Sequence, residues 1–266
     1  MTYLWKEGLE QARGMGLWIG LGLVMLTSIF LIAEARTYPS ELAFEALLLS
    51  LYDINIYLLP LFALFITSFA VFQEKELKTL MILLTKRESH LSFLVKKSFA
   101  IQFVVLTAFL LAYFVLALFM KAFLAFHVLS FLKFLFIVAI FLVIFNQLGI
   151  LLGTVCKSKM QLVGANVFVW FVTVFLLDLM FLYFLPAVSY DNVQVFSWFY
   201  FLNPIHVMRF YLETSLGLFS MDHLSRLLNE MMFMDVRYFL LINAITWPGL
   251  FFLLSTKFRH GGELRD

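Results

Sequence analysis

The sequence predicts an all-α, polytopic membrane protein with six transmembrane helices and cytoplasmic N- and C-termini. Three observations carry this. First, 63% of the 266 residues are hydrophobic and only 14% are charged, which supplies several runs of the roughly 20 apolar residues needed to cross a hydrocarbon core of about 30 Å. Second, the runs are continuous, with none of the alternation of about ten residues that marks a barrel strand, and in lipid only helices and closed barrels satisfy the backbone. Third, only six of the 19 Lys and Arg residues (Arg36, Lys121, Lys133, Arg209, Arg226 and Arg237) fall on one side of the spans, leaving thirteen on the side of both termini. Basic residues favour the cytoplasmic face, and an even number of spans agrees with that orientation.

The spans read at 15–32, 54–72, 98–120, 134–152, 162–185 and 238–255. Before them, Tyr3, Leu4, Trp5 and Leu9 among Lys6, Glu7, Glu10 and Arg13 predict a short interfacial helix over 1–14. Lys6 and Arg13, the first apolar run and Ala33-Glu34-Ala35 together imitate a secretory signal. The run is longer than the usual signal core and its removal would leave an odd number of helices, so it reads as the first span. The gap 33–53 holds Glu34, Arg36, Glu41, Glu45 and Asp53 around apolar 47–51, and is expected to be partly helical and laid on the membrane surface. The longest outward segment, 186–237, mixes Phe196, Trp198, Phe199, Tyr200 and Phe201 with a polar stretch. Such aromatics favour the headgroup layer and predict short re-entrant or interfacial helices. One membrane domain accounts for residues 1–266.

Several chemistries have no support. The formal net charge of +2 comes from the inside bias and gives no reason to expect nucleic acid as a partner. There is no G-x-x-x-x-G-K-[ST] to cradle ATP phosphates, no H-E-x-x-H and no C-x-x-C. His90, His127, His206, His223 and His260 fall at helix ends or in loops, where haem ligation from a span is not available. The single cysteine, Cys156, excludes an internal disulfide and reads as buried filler in a reducing compartment. No metal ligand set is assigned.

Polar residues within spans are costly and therefore informative. Asp178 is the clear charged case; it either lies structurally near an interface or lines a substrate path. Asn146, Gln147 and Asn243 read as interhelical hydrogen-bond formers or pathway residues. Gly16-x-x-x-Gly20, flanked by Gly14 and Gly22, would allow a close helix approach and is a candidate dimer contact.

The insert between spans two and three, 73–90, reads QEKELKTLMILLTKRESH. Leu77, Leu80, Met81 and Leu84 fall at i, i+3, i+4 and i+7, with Glu74, Lys75 and Lys78 largely on another face, which predicts an amphipathic cytoplasmic helix. Glu74 and Glu76, followed by Thr79-Leu80-Met81-Ile82-Leu83-Leu84-Thr85, Ser89 and Lys97, resemble the pattern of ABC-2 type ABC transporter permeases after their second span. The chain departs from that pattern at Lys78, Arg87, His90 and Lys96, where the family has glycine, proline, arginine and glycine.

The resemblance implies a permease subunit, not an enzyme, of a multi-pass transporter in a bacterial or archaeal cell membrane. Its coupling helix would dock on a separate ATP-binding subunit that holds ATP and Mg, no cofactor being bound by this chain. Glu74, Glu76, Leu77, Lys78, Thr79, Leu80, Leu83, Leu84 and Thr85 would make that coupling contact. A second permease copy is implied as a partner, alongside the lipid bilayer, with a homodimer contact through the first and fifth spans. The outward segment could receive a periplasmic or extracellular accessory protein. The outward Leu202-Asn203-Pro204 with Arg209 is similar to the copper-processing permeases of nitrous-oxide reductase maturation, though His206 stands where an acidic residue is usual. Met208, Met221, Met231, Met232 and Met234, with His206 and His223, would be the copper ligands in that reading, although methionine in an apolar chain is more often packing material. A non-transporting membrane anchor or assembly subunit, and a secondary carrier, are the alternatives.

Overall fold

The computed structural model describes residues 2–37, 43–76, 90–218 and 231–257. They are helical throughout, with no strand among the described residues. Helix α1 (Thr2–Arg13) stops at Gly14, whose N–H bonds back to the carbonyls of Glu10 and Gln11, and the chain turns into α2 (Met15–Glu34). There follow α3 (Ala43–Glu76), α4 (His90–Phe123), α5 (Val128–Val155) and α6 (Lys159–Phe171). A five-residue π segment, Val172–Leu176, joins α6 to α7 (Leu177–Phe184). Two short helices, α8 (Val193–Leu202) and α9 (Pro204–Ser215), precede α10 (Val236–Lys257).

Among the described residues six segments are long and apolar enough to cross a bilayer, and they include all six predicted spans, each extended by several residues. The extension is largest in α3. Its 34 residues make a rod of about 51 Å, well beyond the hydrocarbon thickness. The stretch 43–53, expected on the membrane surface, is instead the first part of this rod. Phe44, Leu47, Leu48 and Leu51 are fully enclosed, because their apolar side chains gain more by burial in the bundle than by lying at an interface. Glu45 can enter with them because its carboxylate meets His127 Nδ1 at 2.7 Å and accepts from Ser130 at 3.1 Å.

The core lies between α3 and α5, the two most buried spans (61% and 56%). Their backbones approach at Gly149 and Gly153, a glycine pair four residues apart that sequence reasoning passed over in favour of Gly16 and Gly20. A Cβ on Gly149 would lie 1.9 Å from Thr67 Oγ1, and one on Gly153 would lie 2.6 Å from the Ser68 carbonyl. Only hydrogen fits there. Small residues at four-residue spacing let membrane helices meet where no hydrophobic force between them exists. Around this crossing α2, α4, α6 and α10 form an outer shell, and the α6–α7 span is the least covered (11%).

The segment 186–237, expected to face outward, departs from expectation in part. Helices α8 and α9 are present, but α9 is buried within the bundle: Ile205, Val207, Met208 and Leu212 are enclosed, and Tyr52 Oη donates to the Ile205 carbonyl at 2.8 Å. The polar stretch 219–230, including Met221, His223 and Arg226, lies outside the described residues.

Candidate functional site

At the end of the bundle that carries the N-terminus, the last turn of α3 presents Glu74, Lys75 and Glu76 in sequence. Each points to a different neighbour. Glu74 Oε1 accepts from Lys97 Nζ of α4 at 2.9 Å and from Lys6 Nζ of α1 at 3.3 Å. Lys75 Nζ donates to the carbonyls of Thr154 (2.8 Å) and Cys156 (3.0 Å), covering the carbonyl end of α5 where a cation is favoured. Glu76 pairs with Lys159 at 3.0 Å in the first turn of α6. Three consecutive residues thus clasp four helices, because successive helical side chains fan out by about 100°.

Burial separates these contacts in kind. Lys97 and Glu74 are 1% and 5% exposed, so their charges hold each other in a poorly solvated position. Glu74 was expected to offer its charge to a docking partner; in the structure it is an internal tie, its carboxylate enclosed between two ammonium groups. Glu76 and Lys159 are half-exposed. The ammonium of Lys6 is held above its ordinary pKa: burial opposes this, and the Glu74 and Glu10 carboxylates outweigh it. Cys156, beside the Lys75 contact, is buried, and burial pushes its thiol up despite the lysine, which suits inert packing.

The clasp continues into the bundle as a polar ladder between α4 and α5. Ser98 donates to Gln147 Oε1 at 2.6 Å, Asn146 donates to Gln102 Oε1 at 3.2 Å, and Gln102 donates to the Val143 carbonyl at 3.0 Å. Asn166 of α6 reaches Ser68 of α3 at 2.7 Å. Asn146 and Gln147 therefore hold helices together. Asn243 does the same at the other end, donating to the carbonyls of Phe201 and Phe239 at 2.8 Å and accepting from Trp247 at 3.0 Å.

The remaining predicted residues divide. Leu77, Lys78, Thr79, Leu80, Leu83, Leu84 and Thr85 lie outside the described residues, in the segment that joins the clasp's Glu74 to its Lys97. Gly20 is committed within the chain, since a Cβ there would come within 2.9 Å of the Phe62 ring, whereas Gly16 is exposed with Ile66 at 3.9 Å. Asn203 caps α9, its Oδ1 accepting from Ile205 N at 3.0 Å, with Pro204 in the first turn where its missing N–H is harmless. Arg209 lies between Asp53 (3.4 Å) and Glu213 (3.1 Å). Its guanidinium is held up by those carboxylates against the cost of burial. Asp178 is exposed on α7, with His206 Nε2 3.8 Å away. Burial pushes His206 down to about 4, with Asp178 opposing, so its imidazole is neutral near pH 7. Among the described residues no group of three or more His, Cys, Asp or Glu could hold a metal ion.

The fold and the clasp define a multi-pass α-helical membrane protein whose spans two and three are tied together at the base of the segment between them. Residues 13–256 match the family model described as ABC-2 family transporter protein. The chain belongs to that family and is a permease subunit of an ABC transporter. Comparison with curated proteins finds no match.

Proposed function

We propose that this permease converts ATP hydrolysis on a separate ATP-binding subunit into movement of its spans, through docking of the 77–89 segment. The supporting observation is the clasp at the segment's base. A load applied between Glu76 and His90 meets the buried Lys97–Glu74 pair at once, and through Lys6, Lys75 and Glu76 it reaches α1, α5 and α6. Shifts at a docking site become larger movements where packed elements shift as rigid bodies, which such a clasp favours. Leu77, Leu80 and Leu84 would form the apolar contact, with Lys78 and the half-exposed Glu76 setting charge complementarity at its edge.

The working unit is a pair of permeases, this chain with a second copy. The α6–α7 span supports this: it is the least covered of the six, and Val167, Phe168, Phe171 and Leu182 are exposed along it, leaving a surface that a second copy would cover. Such a pair exports a substrate across the membrane of a bacterial or archaeal cell or performs conformational work there.

The test is co-purification with candidate ATP-binding subunits, comparing wild type with a Leu80→Asp, Leu84→Asp variant. Stable assembly with ATP hydrolysis is expected for wild type and loss of both for a variant that still inserts. Assembly that ignores the two leucines would remove the docking mechanism and favour a non-transporting anchor.

A further inference from the structure

At the end of the bundle opposite the clasp, α7, α8 and α9 enclose a half-open pocket of about 300 Å³. Five of its ten lining residues are aromatic (Phe181, Phe196, Tyr200, Phe201 and Phe210), four are leucine or methionine, and the tenth is Asp178. Phe181 meets Phe196 and Tyr200 edge-on at 5.8 and 5.5 Å, while Phe196 and Tyr200 lie nearly parallel at 6.2 Å, so the rings form two sides of a corner. Ring faces carry negative quadrupole charge and attract cations, most strongly where water is excluded.

Of the residues that line the pocket, Asp178 is the charged one. Nearby, among the described residues, the Arg209 guanidinium is engaged by Asp53 and Glu213. The one basic group within 4 Å of Asp178 among the described residues is His206, and burial keeps that ring neutral near pH 7. Asp178 therefore brings an uncompensated carboxylate to an aromatic corner. A neutral apolar molecule would use the rings but not the carboxylate, and an anion would be repelled.

We propose that this pocket is a binding site for a small organic cation of the quaternary or tertiary ammonium class, seated against Phe181, Phe196 and Tyr200 with Asp178 as its counter-ion. The volume is at the lower end for ligand pockets and suits a small occupant. The site stands apart from the ATPase-docking reading, since binding requires neither a partner subunit nor ATP.

The experiment is equilibrium dialysis of radiolabelled benzyltrimethylammonium against the purified full chain in uncharged maltoside micelles, with empty micelles as the blank. Competition by neopentylbenzene, the uncharged carbon isostere, is measured in parallel. Saturable binding is expected, with affinity falling about tenfold in Asp178→Asn, an exposed position whose change leaves packing intact. A fall of about fivefold is expected in Phe196→Leu, which removes one ring face. The isostere should compete at least tenfold more weakly. Binding no greater than to empty micelles, equal affinity in Asp178→Asn, or equal competition by neopentylbenzene would each overturn the proposal.

Discussion

The two ends of the bundle solve the same problem in different ways. At the clasp, Lys97 and Glu74 are enclosed, so their interaction is strong because neither has water to fall back on. At the opposite end, Arg209 is about half-exposed between Asp53 and Glu213, and solvent screens what the geometry offers. The difference shows that ion pairs of similar length hold together very different loads. The clasp end is built to keep helices in register, and the far end keeps charge accessible beside an aromatic pocket.

The largest effect is expected where one partner of the enclosed pair is removed. Lys97→Met should lower stability by about 3–5 kcal/mol, because it removes an enclosed partner of the buried Glu74 carboxylate. Adding Glu74→Gln to Lys97→Met should recover part of the loss. Thermal unfolding in detergent measures both, and a single variant that costs no more than its double would show that the pair is not the tie described.

Next comes pH. His206 is held at about 4 in the folded chain, against about 6.5 when unfolded. The unfolded chain then binds a proton that the folded chain refuses, so stability should fall as pH drops from about 6.5 to about 4 and level off below that. The loss should be at most roughly 3 kcal/mol, and His206→Phe should remove that part of the pH dependence. An unchanged pH profile in the variant would place the titration elsewhere.

Between the two ends, Gly149→Ala should cost about 1–3 kcal/mol through its collision with Thr67, while Gly22→Ala, with nothing within 4 Å, should be silent. Equal melting temperatures for the two would contradict the close crossing. Apart from the silent Gly22→Ala control, the smallest effect is expected for Arg209→Ala, about 1 kcal/mol or less, decreasing further at high salt. A loss as large as that of Lys97→Met would erase the contrast between the ends.

Much of the scaffold was legible before any coordinates. Hydropathy located six spans, and the amphipathic spacing around Leu77, Leu80 and Leu84 pointed to the segment between spans two and three. The clasp was half visible. Glu74 and Glu76 were singled out, with Lys97 as part of the family pattern, but Lys6 and Lys159 looked like ordinary basic flanks, since charge composition does not reveal which side chains become enclosed. Gly149 and Gly153 carried the same spacing signal as Gly16 and Gly20 and went unnoticed. The aromatic pocket was legible only in part: Phe196, Tyr200 and Phe201 stood out as an aromatic cluster, but Phe181 and Phe210 come from other helices, and aromatic residues are common throughout the chain.

By itself the sequence determined the number and kind of spans, because a run of apolar side chains in lipid has one way to satisfy its backbone. Tertiary structure alone decided which helices lie at the centre, which charges are buried and which remain accessible. Those outcomes depend on contacts between residues such as Lys6, Glu74 and Lys97, far apart in the chain, whose solvation is settled only when the helices pack.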